Sequence, residues 1–162
     1  MMCIVTTCTA VGLLLRRRLI DRADYLERLI AMLDYLSAQI SYVRMPIGEI
    51  VVQMAQQSQF SCLTFLNECK QLLAKGESFP LAWRSSVAQH RNWISKEDLE
   101  RLISLGDILG TTDALEQQKS IEMYNRLFAK SYETARTECT SHARMYLTIG
   151  VLAGVGFAIL ML

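Results

Sequence analysis

Through the middle of the chain, apolar residues return every three or four positions, the period of a helix with one buried face. Leu19, Ala23, Leu26, Ile30, Leu33, Leu36 and Ile40 form such a stripe, with Asp21, Asp24, Glu27, Arg28 and Asp34 mostly off it. This predicts a first long helix, ended by Met45-Pro46 because a residue before proline is pushed out of the helical region. A short second helix is expected over 47–57, with Ile50, Val51 and Met54 inward and a break at Ser58-Gln59. A third, over about 60–73, carries Leu63, Leu66, Cys69 and Leu73, and Gly76 closes it. A fourth begins near Phe79-Pro80, where proline is tolerated in the first turn, and contains Trp83, Val87 and His90. Ser95-Lys96-Glu97-Asp98 has the form of a capping box with Asp in place of the usual Glu. It opens a fifth helix through Leu99, Leu102, Ile103, Leu105 and Leu109. Gly110 stops that helix, and a positive φ is expected there.

Thr112 is placed to cap a sixth helix, with Asp113 at the positive end of its dipole. No breaker follows Asp113. Leu115, Gln118, Ile121, Leu127, Phe128 and Ala135 are its expected inward positions. From Asp113 to Arg144 this helix would span about 48 Å, longer than a small bundle is tall, so it is expected to run on as one rod. Strand patterns are nearly absent. The fold class predicted is all-α, a six-helix antiparallel bundle.

The two ends have a different pattern. Residues 1–15 and 145–162 contain no Lys, Arg, Asp or Glu. Arg16-Arg17-Arg18 follows the first run at once; Arg136, His142 and Arg144 precede the second. Arg and Lys beside a membrane span stay on its cytoplasmic side, so the expectation is a hairpin: anchors at 1–15 and 145–162, a cytoplasmic bundle at 16–144, and both termini outside. The second run would span roughly 27 Å and the first about 22 Å, against a hydrocarbon core of about 30 Å. A cleaved signal peptide would carry its charge before the apolar run; here the charge follows. Val5-Thr6-Thr7-Cys8 has the outline of a lipoprotein box, with Thr7 a poor residue before the cysteine. Gly150, Gly154 and Ala158 fall four apart, a small-residue face on which membrane helices pack closely, with Cys8 and Gly12 a matching pair on the first run.

Composition adds little chemistry. A net charge of +1 over 162 residues gives no nucleic-acid surface, while basic residues beside both apolar ends suit anionic lipid. Cys3, Cys8, Cys62, Cys69 and Cys139 make no C-x-x-C pair. Cys62 and Cys69, two turns apart on one helix face, are expected as a reduced, buried pair. His90 and His142 are not spaced as metal ligands. Phosphate-loop, nucleophile-elbow and zinc-protease motifs are absent. Asp107 and Asp113 flank a turn, but capping and solvated charge account for them. No catalytic, metal or cofactor residues are nominated.

From Ile103 onward, "LGDILGTTDALEQQKSIEMYNRLF" and "ARMYLTIGVLAGVGFAIL" resemble the stage III sporulation protein AB family. Leu105-Gly106, Leu109-Gly110, Thr112-Asp113 and Gln117 match its glycine-turn-glutamine pattern, and Arg144 with Gly150 to Gly154 match its C-terminus. Ile40, Tyr42, Pro46 and Glu49 match an upstream stretch, from which Met45 and Ile47 depart and in which Gln39 replaces an acid; Ala82-Trp83 matches another. The resemblance covers nearly the whole chain. It implies a structural turn at Gly110, Thr112, Asp113 and Gln117. It also implies a bundle similar to the cytoplasmic domain of the type II secretion platform protein, in a membrane complex between mother cell and forespore. Implied partners are that complex's ATPase (stage III protein AA), its other membrane subunits and the bilayer, with self-association left open. The competing expectation is a membrane-tethered helical adaptor or signalling module unrelated to sporulation.

Overall fold

Each stripe that repeats at the helical period becomes a helix in the computed structural model, and no strand forms among the described residues. The backbone is described for residues 2–43, 45–90, 94–111 and 113–160, and side chains for 20–43, 45–90, 94–111, 113 and 115–138. The helices are α1 (Met2–Ala38), α2 (Ile47–Met54), α3 (Thr64–Ala74), α4 (Phe79–Gln89), α5 (Lys96–Leu109) and α6 (Ala114–Leu160). A π turn, Gln39–Val43, winds down the end of α1 before Pro46, and a single 3-10 turn, Ser58–Phe60, precedes α3.

α1 and α6 pack along each other, α5 lies on α6, and α4, α3 and α2 follow in order. The row closes on itself where Phe60 meets Tyr35 of α1 edge to face, with ring centroids 5.9 Å apart. α1 and α6 are antiparallel: Arg22 pairs with Glu138 at one end, and Asn125 donates to Asp34 further along. This register sets the π turn beside the first turns of α6. α4 and α5 are also antiparallel, with Pro80 against Gly110 and Arg84 bonded to Asp107.

The core contains most of the expected stripe. Leu26, Leu33, Leu36, Ile40, Ile50, Val51, Met54, Leu66, Cys69, Trp83, Val87, Leu102, Leu105, Leu109, Ile121, Phe128 and Ala135 are all buried. It is wider than a single line of positions, because Tyr25, Leu29, Met32, Phe65 and Tyr124 are buried too. A helix that contacts two neighbours buries an arc of more than 100°. Leu115 and Gln118 were expected inward and are exposed; the residue between them that meets the end of α5 is Gln117, half-buried and bonded to Leu109 O.

Gly76 closes α3 with φ +88°, and the Glu77 amide bonds back to Leu72 O at 3.2 Å. Gly110 does not behave that way. Its φ is −85°, ordinary right-handed helix, so the expected positive φ is absent and its glycine has another cause. Cys62 and Cys69 are not a buried pair. Both are free, but Cys62 lies exposed in the turn before α3 and only Cys69 is buried.

The uncharged runs at 1–15 and 145–162 lie outside the residues whose side chains are described. Among the described residues, no helix is long and apolar enough to cross a membrane.

Candidate functional site

The first constellation is the seam between α4 and α5. Trp83 is fully buried and donates through Nε1 to Leu102 O at 2.8 Å. Phe65 meets its ring edge to face at 5.3 Å, and Phe79 is tilted against it at 5.6 Å. The opposite wall is Gly106. A Cβ placed there would lie 2.0 Å from Trp83 Cδ1 and 2.5 Å from Cγ. One turn on, a Cβ at Gly110 would lie 2.3 Å from Pro80 Cγ. The two glycines form a flat face into which Pro80 and Trp83 fit, so both are required by contact rather than by backbone conformation.

The turn into α6 is held by side chains. Asp113 is itself the cap: its Oδ1 accepts from the Glu116 amide at 3.0 Å. The expected cap, Thr112, lies outside the described residues. Gln117 reaches back and donates through Nε2 to Leu109 O at 2.9 Å, satisfying a carbonyl that the end of α5 leaves open. Thr111 Oγ1 donates to Asp107 O, and the Asp107 carboxylate takes Arg84 at 2.6 Å. The two aspartates therefore serve separate partners and do not form an acid pair. Of the residues expected in this turn, Gly110, Asp113 and Gln117 come together. Gly150, Gly154 and Ala158 lie outside the described side chains.

At the other end of α5 stands a cluster hidden from the sequence pattern. Ser95 caps the helix, accepting from the Asp98 amide at 3.1 Å, as a capping box predicts. Asp98, however, is only 1% exposed and is the hub of a buried ion network. Its Oδ2 accepts from Ser95 Oγ at 2.6 Å; its Oδ1 accepts from Ser131 Oγ at 2.7 Å and from Arg101 at 3.0 Å. Arg101 also bonds Glu97 and Ser131. Arg22 of α1 approaches Asp98 at 3.6 Å and Glu138 of α6 at 3.5 Å. Three helices are thus joined through one carboxylate.

His90 ends α4 beside an open groove of about 390 Å³ lined by Thr64, Asn67, Glu68, Gln71, Gln89 and His90. Its Nδ1–H donates to Ser86 O at 2.9 Å, since a carbonyl can only accept. Glu68 Oε2, 3.1 Å from the same nitrogen, is left buried without a donor. Cys69 lies nearby with Ser86, and burial pushes its thiol up to about 11. Burial likewise raises the Tyr25 hydroxyl above its ordinary value, with Cys62 adding a smaller push. Among the described residues, no group of three or more His, Cys, Asp or Glu is placed to hold a metal ion. His142 and Trp93 lie outside the described side chains.

The end of the bundle away from Arg22 and Glu138 carries exposed apolar residues: Tyr42 and Val43 in the π turn, Leu81 beside Pro80, and Leu115 in the first turn of α6. Tyr42 is 88% exposed and Leu115 62%.

These features define a helical scaffold: a ring of six helices braced by a tryptophan–glycine seam and a buried carboxylate, with apolar residues offered at one end. The family model described as stage III sporulation protein AB matches residues 1–162. The chain is 27% identical over 162 residues to stage III sporulation protein AB of Bacillus subtilis (strain 168), covering 98% of this chain and 95% of that one. A solved structure of stage III sporulation protein AB (SpoIIIAB) superposes with a TM-score of 0.60 at 28% identity, covering 74% of this chain and 97% of the other. The chain belongs to the stage III sporulation protein AB family. Its role is in sporulation, and the family is named for a developmental stage rather than for a catalytic activity.

Proposed function

We propose that the chain is a non-enzymatic membrane platform subunit of the secretion-like channel complex between mother cell and forespore, and that it contacts the cytoplasmic ATPase of that complex, stage III protein AA. In this reading 1–15 and 145–162 are anchors in the mother-cell membrane facing the forespore, the bundle is cytoplasmic, and both termini lie outside. Gly150, Gly154 and Ala158 would pack the second anchor against the first or against other membrane subunits.

The observation that carries the reading is continuity. α1 and α6 are single helices, 37 and 47 residues long, that leave the bundle side by side at the Arg22–Glu138 end. The described parts of the uncharged runs, 2–15 and 145–160, continue the bundle helices with no linker between. Basic residues stand at the junctions, as they do at the cytoplasmic face of a span. Tyr42, Val43, Leu81 and Leu115 sit at the opposite end, the one a cytoplasmic partner would reach first.

Two measurements test this. A reporter fused after Leu162 should be active only in its extracytoplasmic form; cytoplasmic activity would sink the hairpin. The full chain in detergent should co-purify with the ATPase, and Leu81→Asp with Leu115→Asp should reduce recovery while leaving the melt unchanged. Undiminished recovery with that pair removes the far end as the contact.

A further inference from the structure

Where α1 and α6 leave the bundle, the Asp98 cluster holds them by bonds of different kinds. On the α6 side the contacts are hydrogen bonds: Ser131 Oγ to Asp98 Oδ1 at 2.7 Å, and Arg101 to Ser131 Oγ at 3.2 Å. They surround a carboxylate that is 1% exposed, where water and salt barely reach. On the α1 side the cluster has Arg22. Its guanidinium stands 3.6 Å from Asp98 and 3.5 Å from Glu138, beyond hydrogen-bond length, and its Nε is buried with no acceptor. Glu138 is 44% exposed at its side chain, so this pair is open to solvent. Asp98 has hydrogen-bond donors without Arg22, because Ser95 donates to one of its oxygens and Ser131 and Arg101 to the other.

We propose that this cluster is a clamp with one fixed jaw and one that releases. α6 is locked to α5 through Ser131 and Asp98. The top of α1 is held in the cluster by an ion pair that solvent and ions can break, after which this end of α1 tilts or frays independently of α6. Below that level α1 stays in place, because Tyr25, Leu26 and Leu29 are buried in the core. The N-terminal apolar run can then change its angle to the bundle, while the C-terminal run moves with α5. This asymmetry does not depend on whether the runs cross a bilayer.

Amide hydrogen exchange of the full chain in detergent tests it, since detergent covers the apolar ends in either case. Exchange in residues 20–24 should rise about two- to fivefold between about 50 and 500 mM salt, the range expected for losing a partly exposed ion pair. Exchange in residues 129–135 should not change. Arg22→Gln should give the high-salt rate in 20–24 at low salt and remove the salt response, whereas Arg22→Lys should keep it. An equal response in both segments, no response in either, or a salt response that survives Arg22→Gln each overturns the proposal.

Discussion

Gly106→Ala sets two physical effects against each other, and the sign of the result decides between them. By helix propensity alone the change is favourable, since alanine is better than glycine in a helix interior by about 0.8–1.0 kcal/mol. By packing it is forbidden as the structure stands. The new Cβ would lie 2.0, 2.5 and 2.6 Å from Cδ1, Cγ and Nε1 of Trp83, where carbon atoms rest at about 3.5–4.0 Å. The indole cannot swing aside cheaply. It is fully buried, bonded to Leu102 O at 2.8 Å and held between Phe65 and Phe79. Either α4 lifts off α5 by about 1.5 Å, an overpacking cost of about 1–3 kcal/mol or more, or the indole leaves its site, which costs about 3–5 kcal/mol as a tryptophan truncation does. After the propensity gain, a net loss of about 2 kcal/mol is expected. Denaturant unfolding followed by circular dichroism and Trp83 fluorescence, in a Trp93→Phe background, measures it. A variant as stable as the parent, or more so, refutes the close contact between the two helices.

Gly110→Ala should lose about 1 kcal/mol, because the Pro80 ring it meets can shift at the bundle edge; a loss larger than that of Gly106→Ala reverses the assignment of the tighter contact. Asp98→Ala should cost about 2–3 kcal/mol by denaturant titration, below the usual figure for a broken buried pair because Arg22 and Arg101 keep Glu138 and Glu97; Asp98→Asn should cost less. Asp113→Asn should leave the melt nearly unchanged, since both residues cap well, while Gln117→Ala should lose about 0.5–1.5 kcal/mol with the bond to Leu109 O. If Asp113→Asn preserves the melt yet ends ATPase recovery, the turn is a contact surface rather than architecture. Cys62 should alkylate readily near pH 8, but Cys69 should not until the pH nears its raised value of about 11 or the chain unfolds, because the thiolate is the reactive form. The same shift makes the stabilising contribution of Cys69 complete below pH 9.0 and lost as pH rises through about 11. A Cys69 that reacts as fast as Cys62 in the folded chain contradicts its burial.

The helices and their faces could be read in the sequence because they depend on neighbours three or four residues away. Proline at 46 and 80, glycine at 76 and 110, and serine at 95 punctuate them where expected. What escaped depends on residues far along the chain. A local capping pattern, with Asp in place of the usual Glu, already accounted for Asp98, so nothing in the sequence called for Ser131 or Arg22. Gly106 entered only through the family pattern, and Gly110 was read as a conformational glycine; nothing local pointed to Trp83 and Pro80 packed against them. Cys62 and Cys69 shared a face only if one helix contained both, and α3 begins at Thr64. Tyr25, Phe65 and Tyr124 were missed because a one-line stripe underestimates a helix that packs on two sides. Leu115 lies on the face of its stripe yet is exposed in the first turn of α6, where Gln117 meets the end of α5 instead.

The buried charge also bears on register. A buried ion cluster is weak support for stability, because well-packed apolar residues often serve as well or better by about 1–4 kcal/mol. It does discriminate between alignments. Two helices with apolar stripes of similar period can slide by two turns and still bury apolar surface, but Asp98 can find Ser131 and Arg22 at only one height. The triple variant Arg22→Met, Asp98→Leu, Ser131→Ala should therefore melt at or above the parent temperature, yet tolerate slip between α1 and α6. Cross-linking reads this in a background without native cysteines. Asp34→Cys with Asn125→Cys should form a disulfide in the parent, where these positions touch, while Asp34→Cys with Gln118→Cys, displaced by two turns, should not. In the triple variant both pairs should cross-link. If only the first does, apolar packing fixes the register unaided, and the ion cluster has no part in choosing it.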